Sequence, residues 1–319
     1  MKTDNERKPR LLGWAAATAM VLIATGWQLV TRAGVRSELA PWDLALLRYG
    51  VPALLLAPVW RRCGLRPAGL PAWRLAALVA GAGLPFGLLA MAGASFAPAA
   101  HMGALLPGAS PLLVAALGAL VFGSRPGLSQ GCGLALLATG LALITLPGWT
   151  SGTGHWRGDA LFLVAALLWA TYTLALRGGG LTAWESAAVI SAWSALCVVP
   201  LWIAAYASGR SLMFHASPRQ VALQVLWQGC LAGVVGLAVF AAAVRRLGPA
   251  ATSAAGALVP ALVAVGGWLL LDEPLGLAGW CGIATVAAGA WMASRPPRPA
   301  SGARAVPAGT APAGKTGTA

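Results

Sequence analysis

Ten apolar stretches, each of about the length a helix needs to cross a bilayer, run through this chain of 319 residues and use up almost all of it. A crossing takes roughly 20 mostly apolar residues, because hydrocarbon offers no partner for backbone N–H and C=O groups and a helix satisfies them internally. The stretches are 13–31, 42–60, 75–94, 99–121 and 130–146, then 159–176, 186–206, 221–243, 250–271 and 277–292. Charged residues make up 9% of the chain, against about a quarter in a soluble domain. The expected fold class is therefore an all-α integral membrane protein of ten transmembrane helices. The expected divisions are a tail at 1–12, a first five-helix unit at 13–146, a connecting loop at 147–158, a second unit at 159–293 and a tail at 294–319. That last tail is Pro, Ala, Gly and Thr with isolated charges, too poor in bulky apolar groups to fold.

Little room is left for a soluble enzyme domain, so any activity has to sit inside the bundle. The net charge of +14 comes from basic residues spread over short loops and tails. A nucleic-acid binder would gather them in one patch interleaved with aromatics. Cys63, Cys132, Cys197, Cys230 and Cys281 show no CxxC spacing and read as small core residues, with no metal, cofactor or disulfide framework expected. The basic start before residue 13 resembles a signal peptide, but the following apolar run is too long for one and reads as an uncleaved first helix. Sixteen of the Lys and Arg residues fall in segments that share a side with the N-terminus, five on the other side. The positive-inside rule then puts both termini in the cytoplasm. Heavy use of Arg beside only three lysines suits a GC-rich bacterium, whose inner membrane would be the location.

The second five stretches repeat the first. Ala40-Pro-Trp-Asp43 precedes stretch two as Thr182-Ala-Trp-Glu185 precedes stretch seven, and Arg32 follows stretch one as Arg177 follows stretch six. Ala97-Pro-Ala-Ala100 introduces stretch four as Gly248-Pro-Ala-Ala251 introduces stretch nine, and Pro111 and Pro260 sit about equally far into those two. Five crossings is an odd number, so the second copy enters the membrane upside down. Secondary transporters are commonly built from such inverted repeats, because two pseudo-symmetric halves can exchange conformations and open one face or the other.

From about Leu12 to Met292 the chain resembles the drug/metabolite transporter superfamily in its EamA-type ten-helix branch. The residues that carry the resemblance are Arg245-Arg-Leu-Gly-Pro-Ala-Ala251, Leu258-Val-Pro260 and Leu269-Leu-Leu-Asp-Glu-Pro274, with Arg48 in Leu46-Leu-Arg-Tyr49 matching an arginine common in the family's second helix. Gly123-Ser-Arg-Pro126 departs from the pattern, since the family has a Gly-Glu pair there, and Glu273 is left without a counterpart. The resemblance implies a central solute cavity lined chiefly by helices one, three, four, six, eight and nine, and export of small metabolites more often than uptake.

Ionisable groups at membrane depth cost about 2.5 to 3.5 kcal/mol on insertion scales, so those present ask for a reason. Asp43 stands where a carboxylate suits a helix N-terminus and reads as a cap. Arg48 lies deeper, and its expected role is structural, with contact to an anionic solute as the alternative. His101 begins a cavity helix and either hydrogen-bonds at the interface or handles a proton. Thr252 and Ser253 occupy the matching region of helix nine, where hydroxyls bond their own backbone or line a cavity mouth. Trp27 with Gln28, and Trp169 with Tyr172, sit deep in two related helices and suit a small, partly polar solute. Pro111 and Pro260 are candidate hinges, Glu273 a gating or structural acid, and Gly83-xxx-Gly87 and Gly229-xxx-Gly233 close-packing stripes. Trp14, Trp42, Trp60, Trp73, Trp149, Trp184 and Trp291 fall near stretch ends, as an interfacial belt requires.

The expectation is a secondary exporter of an amino-acid-like metabolite, monomer or homodimer, with protons as a possible coupling ion. No GxxxxGK[ST] run exists to hydrolyse ATP. An intramembrane enzyme would need clustered catalytic groups, whereas His101, His155 and His215 fall in separate segments. A non-transporting scaffold has no evident use for an inverted repeat.

Overall fold

Long runs of Ala, Leu, Gly and Val without internal charge have one way to satisfy their own backbone in an apolar surround, and every regular element among the described residues is helical. The structure, a computed structural model, describes residues 4–123, 126–176 and 180–294. The helices group into ten segments, α1 to α10. The first five are α1 Asp4–Ser37, α2 Pro41–Leu55 with Ala57–Cys63, α3 Ala72–Ala82 with Leu84–Phe96, α4 Ala99–Phe122 and α5 Leu128–Thr150. The others are α6 His155–Leu176, α7 Ala183–Ala207, α8 Pro218–Gln224 with Val225–Val235 and Gly236–Leu247, α9 Pro249–Gly256 with Val259–Leu271, and α10 Leu277–Ala293.

Eight of them, all but α2 and α10, are long and apolar enough to cross a membrane. The two pieces of α2 meet at 69° and together would make a ninth crossing. Pro52 lies inside the first piece and Pro58 opens the second, so neither can continue the other's hydrogen-bond ladder. α10 has 17 residues, about 25 Å of helix at 1.5 Å per residue. Helix α1 begins at Asp4, well ahead of the apolar stretch expected from 13. Leu54, Leu120, Leu128 and Leu277 lie almost bare on the outside, where water would penalise them and lipid would not.

The remaining breaks also have local causes. α3 is interrupted at Gly83, ahead of Pro85, and the freed groups find partners: Leu84 N donates to Ser194 Oγ at 3.0 Å and the Tyr49 hydroxyl to Gly83 O at 2.5 Å. In α8, Val225–Val235 is wound as a π-helix, a form that often marks functional sites. The matched prolines behave differently. Pro260 opens the second piece of α9 after a break at Ala257 and Leu258, whereas Pro111 lies inside an uninterrupted α4.

Packing partners come in matched sets: α1 lies on α8 as α6 lies on α3, α1 on α9 as α6 on α4, and α5, α2 and α4 meet α10, α7 and α9. The α5–α10 seam is the most intimate. A Cβ on Gly140 would fall 2.7 Å from Val286 N and 2.8 Å from Gly282 O, and one on Gly289 2.7 Å from Leu137 N. Both expected GxxxG stripes are packed on α2, Gly83 and Gly87 bordering Tyr49, Gly229 and Gly233 against Val51 and Pro52.

Candidate functional site

A cavity of about 830 Å³ is lined by parts of α1, α3, α4, α6, α8 and α9, joined by Arg48 of α2 and by the adjoining ends of α5 and α10. Small side chains make the space: Gly108, Ser110 and Gly118 on α4, Thr252, Ser253 and Gly256 on α9. The lining reaches Pro126, Gln130 and Ser294 at one end of the bundle, called here the near end. The early turns of α1 belong to that end, since Gly13 lies against Leu247 at the close of α8. At the inner limit stand Trp27, Gln28, Arg48, Phe86 and Trp169.

Trp27 is held firmly. Its Nε1 donates to Gln228 Oε1 at 2.8 Å, Gln228 Nε2 donates to Thr31 Oγ1 at 2.8 Å, and the Thr31 hydroxyl donates to Trp27 O at 2.6 Å. Gln224 Nε2 extends the network to Val30 O at 2.7 Å. Gln224 and Gln228 are fully buried, and their amides have no better use in hydrocarbon than to bond one another and α1. With its edge fixed from below, Trp27 presents its face to Arg48, whose guanidinium carbon lies 4.6 Å from the ring centroid, a cation–π geometry. Phe86 stacks at 6.3 Å from Trp27, and Trp169 at 5.2 Å from Phe86.

The far end is closed around Glu273. Its Oε1 accepts from Arg32 Nε at 2.7 Å and Arg36 Nη1 at 3.2 Å, and its Oε2 from the backbone N–H of Ala99 at 2.7 Å. Arg32 also donates to Ala94 O, and Arg36 to Leu271 O. Glu273 and Arg32 thus tie α1, α3, α4 and the end of α9 together. Asp272 takes a left-handed φ of 52° where α9 stops, which turns Glu273 back over the bundle. Gly123 makes the same turn at the end of α4, with φ of 64°. The next position there is Ser124, which with Arg125, Arg177 and the tail from 295 lies outside the described residues.

Beside this closure, His101 Nδ1 lies 2.7 Å from Asp159 Oδ1 between α4 and α6, and the His155 ring is 5.7 Å from that of His101. His101 does not line the cavity, contrary to expectation, because it begins α4 on the sealed side. Tyr172 also stands off it, packed against α3 with Leu75 and Leu78. Trp27, Gln28, Trp169, Thr252, Ser253, Arg48, Pro111 and Pro260 do line it. Thr252 also donates to Gly248 O at 2.9 Å, four residues back. Asp43 does more than cap. Oδ2 accepts from Ala40 N and Leu212 N, both at 3.0 Å, while Oδ1 accepts from Trp202 Nε1 at 2.8 Å and Ser211 Oγ at 2.6 Å, joining α2 to the end of α7.

Sequence reasoning passed over Gln224, Gln228, Phe86, Asp159 and the two arginines on Glu273. Signals existed for some: amides four apart in an apolar run, a carboxylate at the very start of another, and Arg32 and Arg36 on one helix face.

Residues 156–295 match the family described as the EamA-like transporter family, which supports the resemblance drawn above. No curated protein matches the chain. A solved structure described only as "Crystal structure of protein" aligns over 90% of this chain and 97% of that chain at 18% identity, with a TM-score of 0.47, too slight a likeness to argue from.

Proposed function

We propose that this EamA-like membrane transporter is a secondary carrier that exports a small metabolite across the bacterial inner membrane by alternating access between two inverted five-helix repeats. The observation that carries the reading is the one-sided cavity, lined out to the near end and shut at the far end by Glu273. The distribution of Lys and Arg favours the near end as cytoplasmic, so this form is open inward and loads from inside. Exchange of the two halves' conformations would release Glu273 and close the near end.

The test is counterflow of amino-acid-like solutes in liposomes carrying the purified chain. Saturable flux is expected, and Trp169→Ala should raise the half-saturation concentration roughly three- to tenfold, the loss of one aromatic contact. Leak equal to empty liposomes would instead leave a scaffold.

A coupling proton has a natural place at His101 and Asp159, beside the closure. Asp159→Asn should abolish acceleration of export by an inward proton gradient while sparing counterflow at symmetric pH. Unchanged acceleration would remove the pair from the coupling.

A further inference from the structure

We propose that the inner limit of the cavity is a carboxylate subsite built from Arg48 and Gln28, so that the solute is a small organic monoanion or zwitterion with an apolar body. The proposal rests on the transporter reading for its physiological meaning, and on the geometry for its chemistry.

Three arginines packed between helices find acceptors. Arg32 has Glu273 and a carbonyl, Arg36 likewise, and Arg74 reaches Ala175 O at 2.8 Å and 3.1 Å. Arg48 differs: its Nε and Nη1 are buried and make no hydrogen bond among the described residues, while its guanidinium is held against the face of Trp27. A guanidinium takes a carboxylate in paired, charge-assisted bonds along its Nε–Nη2 or its Nη1–Nη2 edge, and each of those edges on Arg48 carries a donor without a partner among the described residues. Leaving such donors buried and unpaired is costly, and a solute carboxylate removes that cost.

Gln28 supplies the complementary group. Its Nε2 donates to Ala24 O at 3.3 Å, which directs Oε1 as an acceptor, and that buried oxygen also has no partner among the described residues. Both side chains line the cavity. A donor edge and an acceptor on one wall fit a carboxylate with an N–H or O–H group close to it. Trp27, Phe86, Trp169 and Leu106 offer the apolar surface for the remainder.

Charge narrows the class further. Arg48 is the one charged side chain among the described residues that line the cavity, with no Asp, Glu, Lys or His beside it. A cationic amine would meet a like charge and no carboxylate. A phosphate dianion would bring two charges to a single cation in an apolar surround, whereas a carboxylate balances it.

The experiment uses the full chain purified in detergent and follows thermal stabilisation by five probes: 3-phenylpropionate, phenylalanine, phenylalaninamide, phenethylamine and phenyl phosphate. The two carboxylates are expected to bind on the order of 30-fold or more tighter than the amide and the amine, the difference a charged hydrogen-bonded pair makes, and tighter than phenyl phosphate. Arg48→Gln should remove that preference and Arg48→Lys keep part of it. Gln28→Leu should weaken phenylalanine more than 3-phenylpropionate, which has no N–H for the lost acceptor. The wild-type ranking stands even where a variant fails to fold. Equal or tighter binding of the amide, the amine or phenyl phosphate overturns the proposal, as does stabilisation by none, or undiminished carboxylate binding by folded Arg48→Gln. Carboxylate binding without flux in liposomes would keep the subsite and remove the carrier; flux of phenethylamine would do the reverse.

Discussion

Glu273→Gln is expected to open the far end of the bundle and to lower the proposed export on the order of 100-fold. The Glu273 and Arg32 side chains are 9% and 11% exposed, and removing one member of a buried ion pair costs about 3–5 kcal/mol because the other stays charged and unpaired. The amide also loses strength as the acceptor for Ala99 N, the bond that pins the start of α4. Arg36, half-exposed, keeps its water and contributes little. All of these bonds belong to the form with the far end shut, so their loss is expected to shift the population toward a form open at the far end, the outward side in the proposed orientation. The measurement is labelling of Ser110→Cys, in a background without the five native cysteines, by a membrane-impermeant maleimide added outside. Labelling should accelerate in Glu273→Gln. Adding Arg32→Gln should recover stability, since no orphan charge remains, without slowing the labelling. Flux and external labelling both at wild-type levels would mean that Glu273 closes nothing.

Gly140→Ala is expected to lower the melting temperature of the purified chain by about 5–10 °C. The added methyl would press on backbone, 2.7 Å from Val286 N and 2.8 Å from Gly282 O, and a helix backbone cannot turn aside as a side chain can. Overpacking of this kind costs about 1–3 kcal/mol, and for a chain of this size each kcal/mol moves the midpoint by about 2–4 °C. Gly131 of the same helix is the control, because a Cβ there meets nothing within 4 Å. Gly131→Ala should leave the midpoint unchanged or raise it slightly, as alanine favours helix. Equal effects at the two positions would show that helix propensity, not the α5–α10 contact, decides the outcome.

The all-helical class and eight of the expected crossings were legible in the residues because hydrocarbon permits so few alternatives: an uncharged apolar run of 20 has to be a helix. The starts of α4 and α9 were legible as well, at Ala97-Pro-Ala-Ala100 and Gly248-Pro-Ala-Ala251, because a proline suits the first turn of a helix. Rotation about each helix axis was not legible, because apolar residues cover nearly every face and no periodicity separates lipid from core. That is why Trp169, which lines the cavity, and Tyr172, which faces α3, could not be told apart three residues from each other. Depth along the bundle misled for His101, whose helix lines the cavity but whose own turn lies beyond it. The unusual winding of Val225–Val235, which accompanies Gln228 at the edge of Trp27, has no signature in composition.

The solitary Arg48 bears on energetics as well as recognition. A bacterial membrane is negative inside, and each elementary charge that crosses it gains or loses about 2.3 kcal/mol per 100 mV. A monoanion matched to that guanidinium runs down the voltage when it leaves the cell, with a gain equal to roughly a fiftyfold concentration ratio at 100 mV. For such a cargo the electric field alone favours the outward direction, and a proton moving inward would add to a force already present.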